Sequence, residues 1–285
     1  MGRVSDDLFP GKHFISTVLG ALDTKHQMSG AIAQRYLQRA AMAGIIIGLM
    51  YLVNFTVVAT FADLKLGETT LSGIGKLVGA LAFGFALVFI YYTKSELLTS
   101  NMMIVSIGAY HKGTSIGRGL KLLGMCYLGN FLGGCLIAIL VKFSTLISGS
   151  ILTAVDGAVA HKLEYIAHGP AGWADLFVRA ILCNFMINLS MLLVYNGLIH
   201  DDWTKSVGMI VSVFIFAFCG FEHSVANTVL FTVVGLLHGI DVWAALANVG
   251  IALLGNYLGG GVLIGFYYAY ANDDRSFLKN ATVSK

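Results

Sequence analysis

The sequence predicts an all-α integral membrane protein with six transmembrane helices. They form two inverted three-helix repeats, and the second and fifth helices are broken near their middles. Three observations carry this prediction. The chain has too little charge to cover a water-facing surface, six apolar stretches are long enough to cross a bilayer, and two polar motifs recur at one constant offset of 126 residues.

Of the 285 residues, 57% are hydrophobic and only 12% are charged. Soluble domains carry about 25% charged residues, so this surface suits lipid better than water. The 34 glycines fit closely packed membrane helices. A net charge of +3 with no basic run or stacking platform points away from a nucleic-acid partner. Cys126, Cys135, Cys183 and Cys219 all lie in apolar stretches without a zinc or CxxC spacing, so they read as small buried hydrophobes. Residues Met1 to Gly20 lack the basic-then-apolar pattern of a signal peptide, so insertion is expected to use the first span.

A bilayer-crossing helix needs about 20 apolar residues. The six candidates are Ala40–Phe61, Leu71–Tyr92 with a continuation to Tyr110, Gly119–Ile147, Phe177–Leu198, Val207–Leu237 and Val242–Tyr270. An even number of spans puts both termini on one side. The segments on that side then hold twelve Lys and Arg against five on the other, which predicts cytoplasmic termini in a cell-membrane protein. The expected division is a cytoplasmic segment 1–37, with an interfacial or cytoplasmic helix over Leu22 to Leu37, a transporter-type domain 38–270 and a cytoplasmic tail 271–285.

Shifting the chain by 126 residues lays Glu96 on Glu222 and Asn101 on Asn227. It also lays Leu128-Gly129-Asn130 on Leu254-Gly255-Asn256. Three spans per half, over about 38–147 and 174–270, force the halves into opposite orientations. Membrane transporters use such inverted repeats and place the substrate site at the midplane, where interrupted helices meet. Gly129-x3-Gly133, Gly255-x3-Gly259 and Gly44-x3-Gly48 read as close helix contacts.

The interruptions are Thr93 to Asn101 and Cys219 to Asn227. A broken helix frees backbone groups that need partners. Glu96 and Glu222 are expected to accept from freed N–H groups, and Asn101 and Asn227 to support the restart. His223 has no counterpart in the first repeat, where Leu97 stands. Imidazole titrates near pH 6.5. Beside a midplane break it can pass a proton to a weak acid in transit or, when cationic, attract its anion. Thr99 offers a hydroxyl from the opposite break.

From Gln38 to Tyr270 the chain resembles the formate–nitrite transporter family. Ser95-Glu96-Leu97-Leu98-Thr99-Ser100-Asn101, Arg179-Ala180-Ile181-Leu182-Cys183-Asn184 and Phe221-Glu222-His223-Ser224-Val225-Ala226-Asn227 carry the resemblance. It implies an aquaporin-like protomer, one pore each, in a homopentamer that moves small monovalent anions. The pore centre would be His223 and Thr99 with Asn184. Phe83, Leu87 and Leu98 would form the cytoplasmic constriction, and Ile187 and Phe216 the outer one. Lys162 would draw anions inward. Lys94 is a departure that would pair with an acid or alter anion preference. Two further departures are Ile187-Asn188, expected to make the outer constriction more polar, and a long loop from Lys162 to Asn184. Formate is the expected substrate, with nitrite, hydrosulfide, acetate and lactate as alternatives.

Two other functions fit less well. A water or glycerol channel usually has Asn-Pro-Ala in its breaks, but the prolines here are Pro10 and Pro170. A haem-bearing membrane enzyme needs paired axial histidines, but only His223 falls at mid-membrane. No enzymatic activity and no cofactor are therefore expected.

Overall fold

A computed structural model describes residues 7–283, and these are almost wholly helical. The first half contains α1 (Lys12–Ala31), α2 (Ala33–Asp63), α3 (Ser72–Tyr92), α4 (Leu98–Tyr110) and α5 (Ile116–Lys142). A two-residue hairpin pairs Lys65–Leu66 (β1) with Thr69–Thr70 (β2), between α2 and α3. The second half contains α6 (Gly149–Ala167), α7 (Gly169–Tyr195), α8 (Asp202–Phe218), α9 (Ser224–Leu237) and α10 (Val242–Asn256). A π-helical stretch (Tyr257–Phe266), α11 (Tyr267–Ala271) and α12 (Arg275–Val283) complete it.

Among the described residues five helices are long and apolar enough to cross a membrane: α2, α3, α5, α7 and the run that starts at Val242. The expected span Val207–Leu237 is two shorter pieces, α8 of 17 residues and α9 of 14. This is the break expected from the polar stretch around Glu222. The second span is likewise split into α3 and α4.

The sequence reading of a loop from Lys162 to Asn184 does not hold. That stretch is the end of α6 and the first half of α7, joined at His168. Gly169 turns the chain at φ +63° and Pro170 starts the new helix. Proline suits this position because its missing N–H and fixed φ cost nothing in a first helical turn. The expected helix at Leu22 to Leu37 is also divided, at Ile32, into the end of α1 and the start of α2. Phe14, Ile15, Val18 and Leu22 of α1 are buried in the main core.

The two halves share several packing arrangements. α2 packs on α5 as α7 packs on α10 and the π stretch. A Cβ on Gly133 would strike the Ala41 carbonyl of α2, and a Cβ on Gly259 the Ile181 carbonyl of α7. Backbones this close are possible only with glycine, which is the small-x3-small arrangement expected from the sequence. α4 lies against the π stretch and α9 against α5, so each broken helix ends on the opposite half. The N- and C-terminal segments meet: the Gly11 N–H donates to Asn272 Oδ1 at 2.7 Å, and Lys12 pairs with Asp274 at 2.8 Å. Apolar side chains such as Leu49, Leu77, Val178 and Leu254 face outward, as a lipid-covered surface requires.

Candidate functional site

Both breaks have the same backbone path. After α3 the chain turns at Lys94 (φ +56°) and after α8 at Gly220 (φ +69°), positions 126 residues apart. The next N–H closes the turn in each case, Ser95 to Ile90 O at 3.0 Å and Phe221 to Phe216 O at 2.9 Å. Glycine takes a left-handed conformation freely, whereas lysine does so at a cost. The first break therefore keeps a lysine where the second keeps the easier residue.

The freed backbone groups are met by two asparagines from the following helices. Asn130 Oδ1 accepts from the Leu98 N–H at 3.0 Å, while its Nδ2 donates to Ala40 O and Glu96 O, both at 2.8 Å. Asn256 Oδ1 accepts from the Ser224 N–H at 2.9 Å, while its Nδ2 donates to Ala180 O at 2.8 Å and Glu222 O at 2.9 Å. Both asparagines are fully buried. The sequence reading gave this task to the Glu96 and Glu222 side chains. These two asparagines escaped it because they looked like part of a glycine packing motif.

The carboxylates instead hold lysines from α1 and α6. Lys25 Nζ lies 2.5 Å from Glu96 Oε2 and Lys162 Nζ 2.7 Å from Glu222 Oε2. Asn101 and Asn227 donate to the same carboxylate oxygens at 3.0 and 2.7 Å. Each buried acid thus has a cation and an amide, which offsets the cost of removing its charge from water. α1 and α6 thus play matching parts at the two breaks. Lys162, expected as an anion attractor in an outer loop, is on a helix, and its charge is neutralised by Glu222.

Between the breaks, His223 caps α9: its Nδ1 accepts the Ala226 N–H at 3.0 Å. While that bond stands, the ring proton sits on Nε2. That nitrogen lies 3.1 Å from the Thr99 hydroxyl in the first turn of α4. The N-termini of two half-helices thus meet at one imidazole and one hydroxyl, and both carry positive dipole ends. The Thr99 carbonyl is gripped by Asn184 Nδ2 and Asn188 Nδ2, each at 3.1 Å. Asn184 also donates to Asn256 O at 2.7 Å. Asn184 is fully buried and supports the site from behind. Asn188 does the same, so it adds no polar group to the constriction, contrary to the sequence reading.

A cavity of about 20 Å³ lies against His223, lined by Phe83, Leu87, Leu97, Ile187 and Phe216. It has room for about one water molecule. Beyond it are two larger vestibules. One, about 250 Å³, lies beside Glu96 and shares Leu87, Ile90 and Leu97 with the centre. The other, about 220 Å³, lies beside Glu222 and shares Phe83, Phe216 and His223. Phe83 therefore belongs with Phe216, its ring centroid 6.2 Å from that of Phe216, and not with Leu87. Leu97, not Leu98, faces the cavities; Leu98 is buried in the core. Ile187 lines the central cavity and neither vestibule. Lys94 lines the Glu96 vestibule with its ammonium 4.9 Å over the Tyr91 ring, and Glu96 is taken by Lys25. Cys219 is exposed at the end of α8, unlike the buried Cys126 and Cys183.

The chain is similar to known membrane proteins over most of its length. The model of the formate/nitrite transporter family matches residues 12–270. The nitrite transporter NirC of Salmonella typhimurium is 30% identical over 236 residues, covering 81% of each chain. The formate channel FocA of Haemophilus influenzae is 27% identical over 255 residues, covering 80% of this chain and 85% of that one. A solved structure described as an FNT family ion channel superposes with a TM-score of 0.78 at 25% identity, over 91% of this chain and 99% of the other. A pentameric formate channel with formate bound gives a TM-score of 0.67 at 22% identity, over 84% and 96%, a likeness of fold. The chain belongs to the formate/nitrite transporter family.

Proposed function

We propose that this protein conducts formate across the cell membrane through one pore per protomer, with His223 and Thr99 at the centre. The carrying observation is the buried 3.1 Å contact between Thr99 Oγ1 and His223 Nε2, set between two polar vestibules and sealed from each by apolar side chains. Leu87, Ile90 and Leu97 form one seal; Phe83 and Phe216 form the other. Dehydrating a small anion between such seals is costly. The Nε2 proton and the Thr99 hydroxyl can donate to its oxygens; once Nδ1 has taken a proton from water and released the Ala226 N–H, transfer of the Nε2 proton to the anion would carry the acid across as a neutral molecule and leave a neutral imidazole. Lys25 and Lys162, tied to Glu96 and Glu222, hold the breaks open as polar funnels.

In this reading the two halves are inverted three-helix repeats of an aquaporin-like six-span protomer. The repeated hydrogen bonds of Asn130 and Asn256 support it. The joined terminal segments lie on the side richer in Lys and Arg, which supports cytoplasmic termini. The protomers assemble as a homopentamer, as in the similarly folded pentameric formate channel. Nitrite is the competing cargo, since NirC is a nitrite transporter. Flux of formate, nitrite, hydrosulfide, acetate and glycerol into liposomes carrying the purified protein tests the reading. Fast formate flux with little glycerol flux is expected; nitrite flux exceeding formate flux would reassign the cargo.

A further inference from the structure

The two vestibules are built from equivalent parts but differ in charge. Beside Glu222 the cations are Lys162 and Arg179. Lys162 is paired with Glu222, and Arg179 Nε donates to Asp175 at 2.8 Å while its Nη1 donates to Gly220 O at 3.1 Å. Every cation there has an acid. Beside Glu96 the lining cations are Lys25, Arg39 and Lys94, against the single carboxylate of Glu96. Lys25 takes that carboxylate.

The excess has a sequence origin. Arg39 and Arg179 are equivalent, since their carbonyls accept the Glu96 and Glu222 N–H groups at 3.2 and 3.3 Å. Four residues before Arg179 stands Asp175, but four before Arg39 stands Arg35. Lys94 replaces Gly220 at the same left-handed turn. Among the described residues the Arg39 side chain bonds only to Met28 Sδ, at 3.4 Å, and Lys94 lies over Tyr91. Among the described residues neither cation has an acidic partner, and both line one cavity of about 250 Å³. A cleft lined by one sign of charge concentrates counter-ions, and guanidinium with ammonium is the usual donor set for phosphate.

We propose that the Glu96 vestibule is a binding site for a soluble dianionic oxyanion of the phosphate class, held by Arg39 and Lys94. Such an anion matches the two uncompensated charges. It is larger than the central cavity beyond Leu87, Ile90 and Leu97, so it rests in the vestibule and blocks the path from that side. The other vestibule, with its cations neutralised, has no such site. Because the claim concerns binding, it stands or falls separately from the identity of the transported anion.

The test is titration of inorganic phosphate into the full chain by calorimetry, at pH 8, low ionic strength and in an uncharged detergent. No lipid phosphate is then present. Lys94→Gly restores the residue that the equivalent turn carries, and Arg39→Gln keeps the backbone acceptor for Glu96; both are expected to fold. The expected result is saturable binding at one site per protomer, weakened about tenfold by either substitution and unchanged by Arg179→Gln. Absence of saturable binding, or binding equally strong in the Lys94→Gly/Arg39→Gln double variant, would overturn the proposal.

Discussion

The Thr99 hydroxyl lies 3.1 Å from His223 Nε2, and the two residues are 124 positions apart. Each sits at the N-terminal end of a half-helix, and Asn184 and Asn188 hold Thr99 from behind by its carbonyl. The meeting point thus depends on both breaks and on α7.

Removing the hydroxyl while keeping the shape, in Thr99→Val, is expected to slow formate flux several-fold. One hydrogen bond is worth about 1 kcal/mol net. Thr99→Ser is expected to keep most of the flux. Initial uptake rates in liposomes check both, and equal rates for valine and serine would show that the hydroxyl takes no part.

The buried ion pairs are expected to be structural. Lys162 and Glu222 are 12% and 4% exposed at their side chains. Lys162→Met leaves a buried carboxylate unpaired, a loss of about 3 kcal/mol, read as a lower midpoint in thermal unfolding of the detergent-solubilised protein. Lys162→Met with Glu222→Gln is expected to recover much of it. A double variant no better than the single one would assign the loss to packing.

Gly133→Val and Gly259→Val are each expected to abolish assembly of their helix pair, because even a Cβ collides with the Ala41 or Ile181 carbonyl. Gly117→Val, at a glycine with open space around it, is the control. Yield of folded protein by size-exclusion chromatography reports the difference.

The C-terminal segment should be docked through Asp273. Arg275 beside it, with hydrogen bonds that include Tyr110, holds the Asp273 carboxyl well below the usual carboxylate range. A lowered carboxyl contributes stability that is present above its unfolded pKa and lost as pH falls through the folded one. The carboxylate is therefore expected to stay ionised and to accept from Tyr110 across the neutral range in which trypsin is active, so that tryptic cleavage at Lys279 stays slow there. Asp273→Asn should speed cleavage at every pH in it.

Much of the architecture was legible in the sequence because the repeat is exact where it matters. Glu96 and Glu222, Asn101 and Asn227, and the Gly-Asn motifs share one offset, and the equivalent backbone turns follow it. The offset fails in and before the first long helix of each half, where Arg39 matches Arg179 and Lys25 matches Lys162 at other separations. The constant offset therefore gives no sign of α6, and the sequence presents Lys162 as an anion attractor in a loop from Lys162 to Asn184. Finer errors come from side-chain direction. Leu97 is extended, at φ −107° and ψ 128°, where successive side chains point opposite ways, so Leu97 faces the cavities and Leu98 the core. Phe83 and Leu87 share a face of α3 but lie about 6 Å apart along it, a little over one helical turn. That distance is enough to put them on opposite sides of the central cavity.

The most direct test of the account is the rate of formate uptake into liposomes across pH 5 to 8, for the wild type and His223→Phe side by side. The account predicts fast uptake that rises as pH falls, and a variant that reaches the membrane folded but loses most of that flux and its pH dependence. Equal flux and an equal pH profile in the two proteins would contradict a central role for His223.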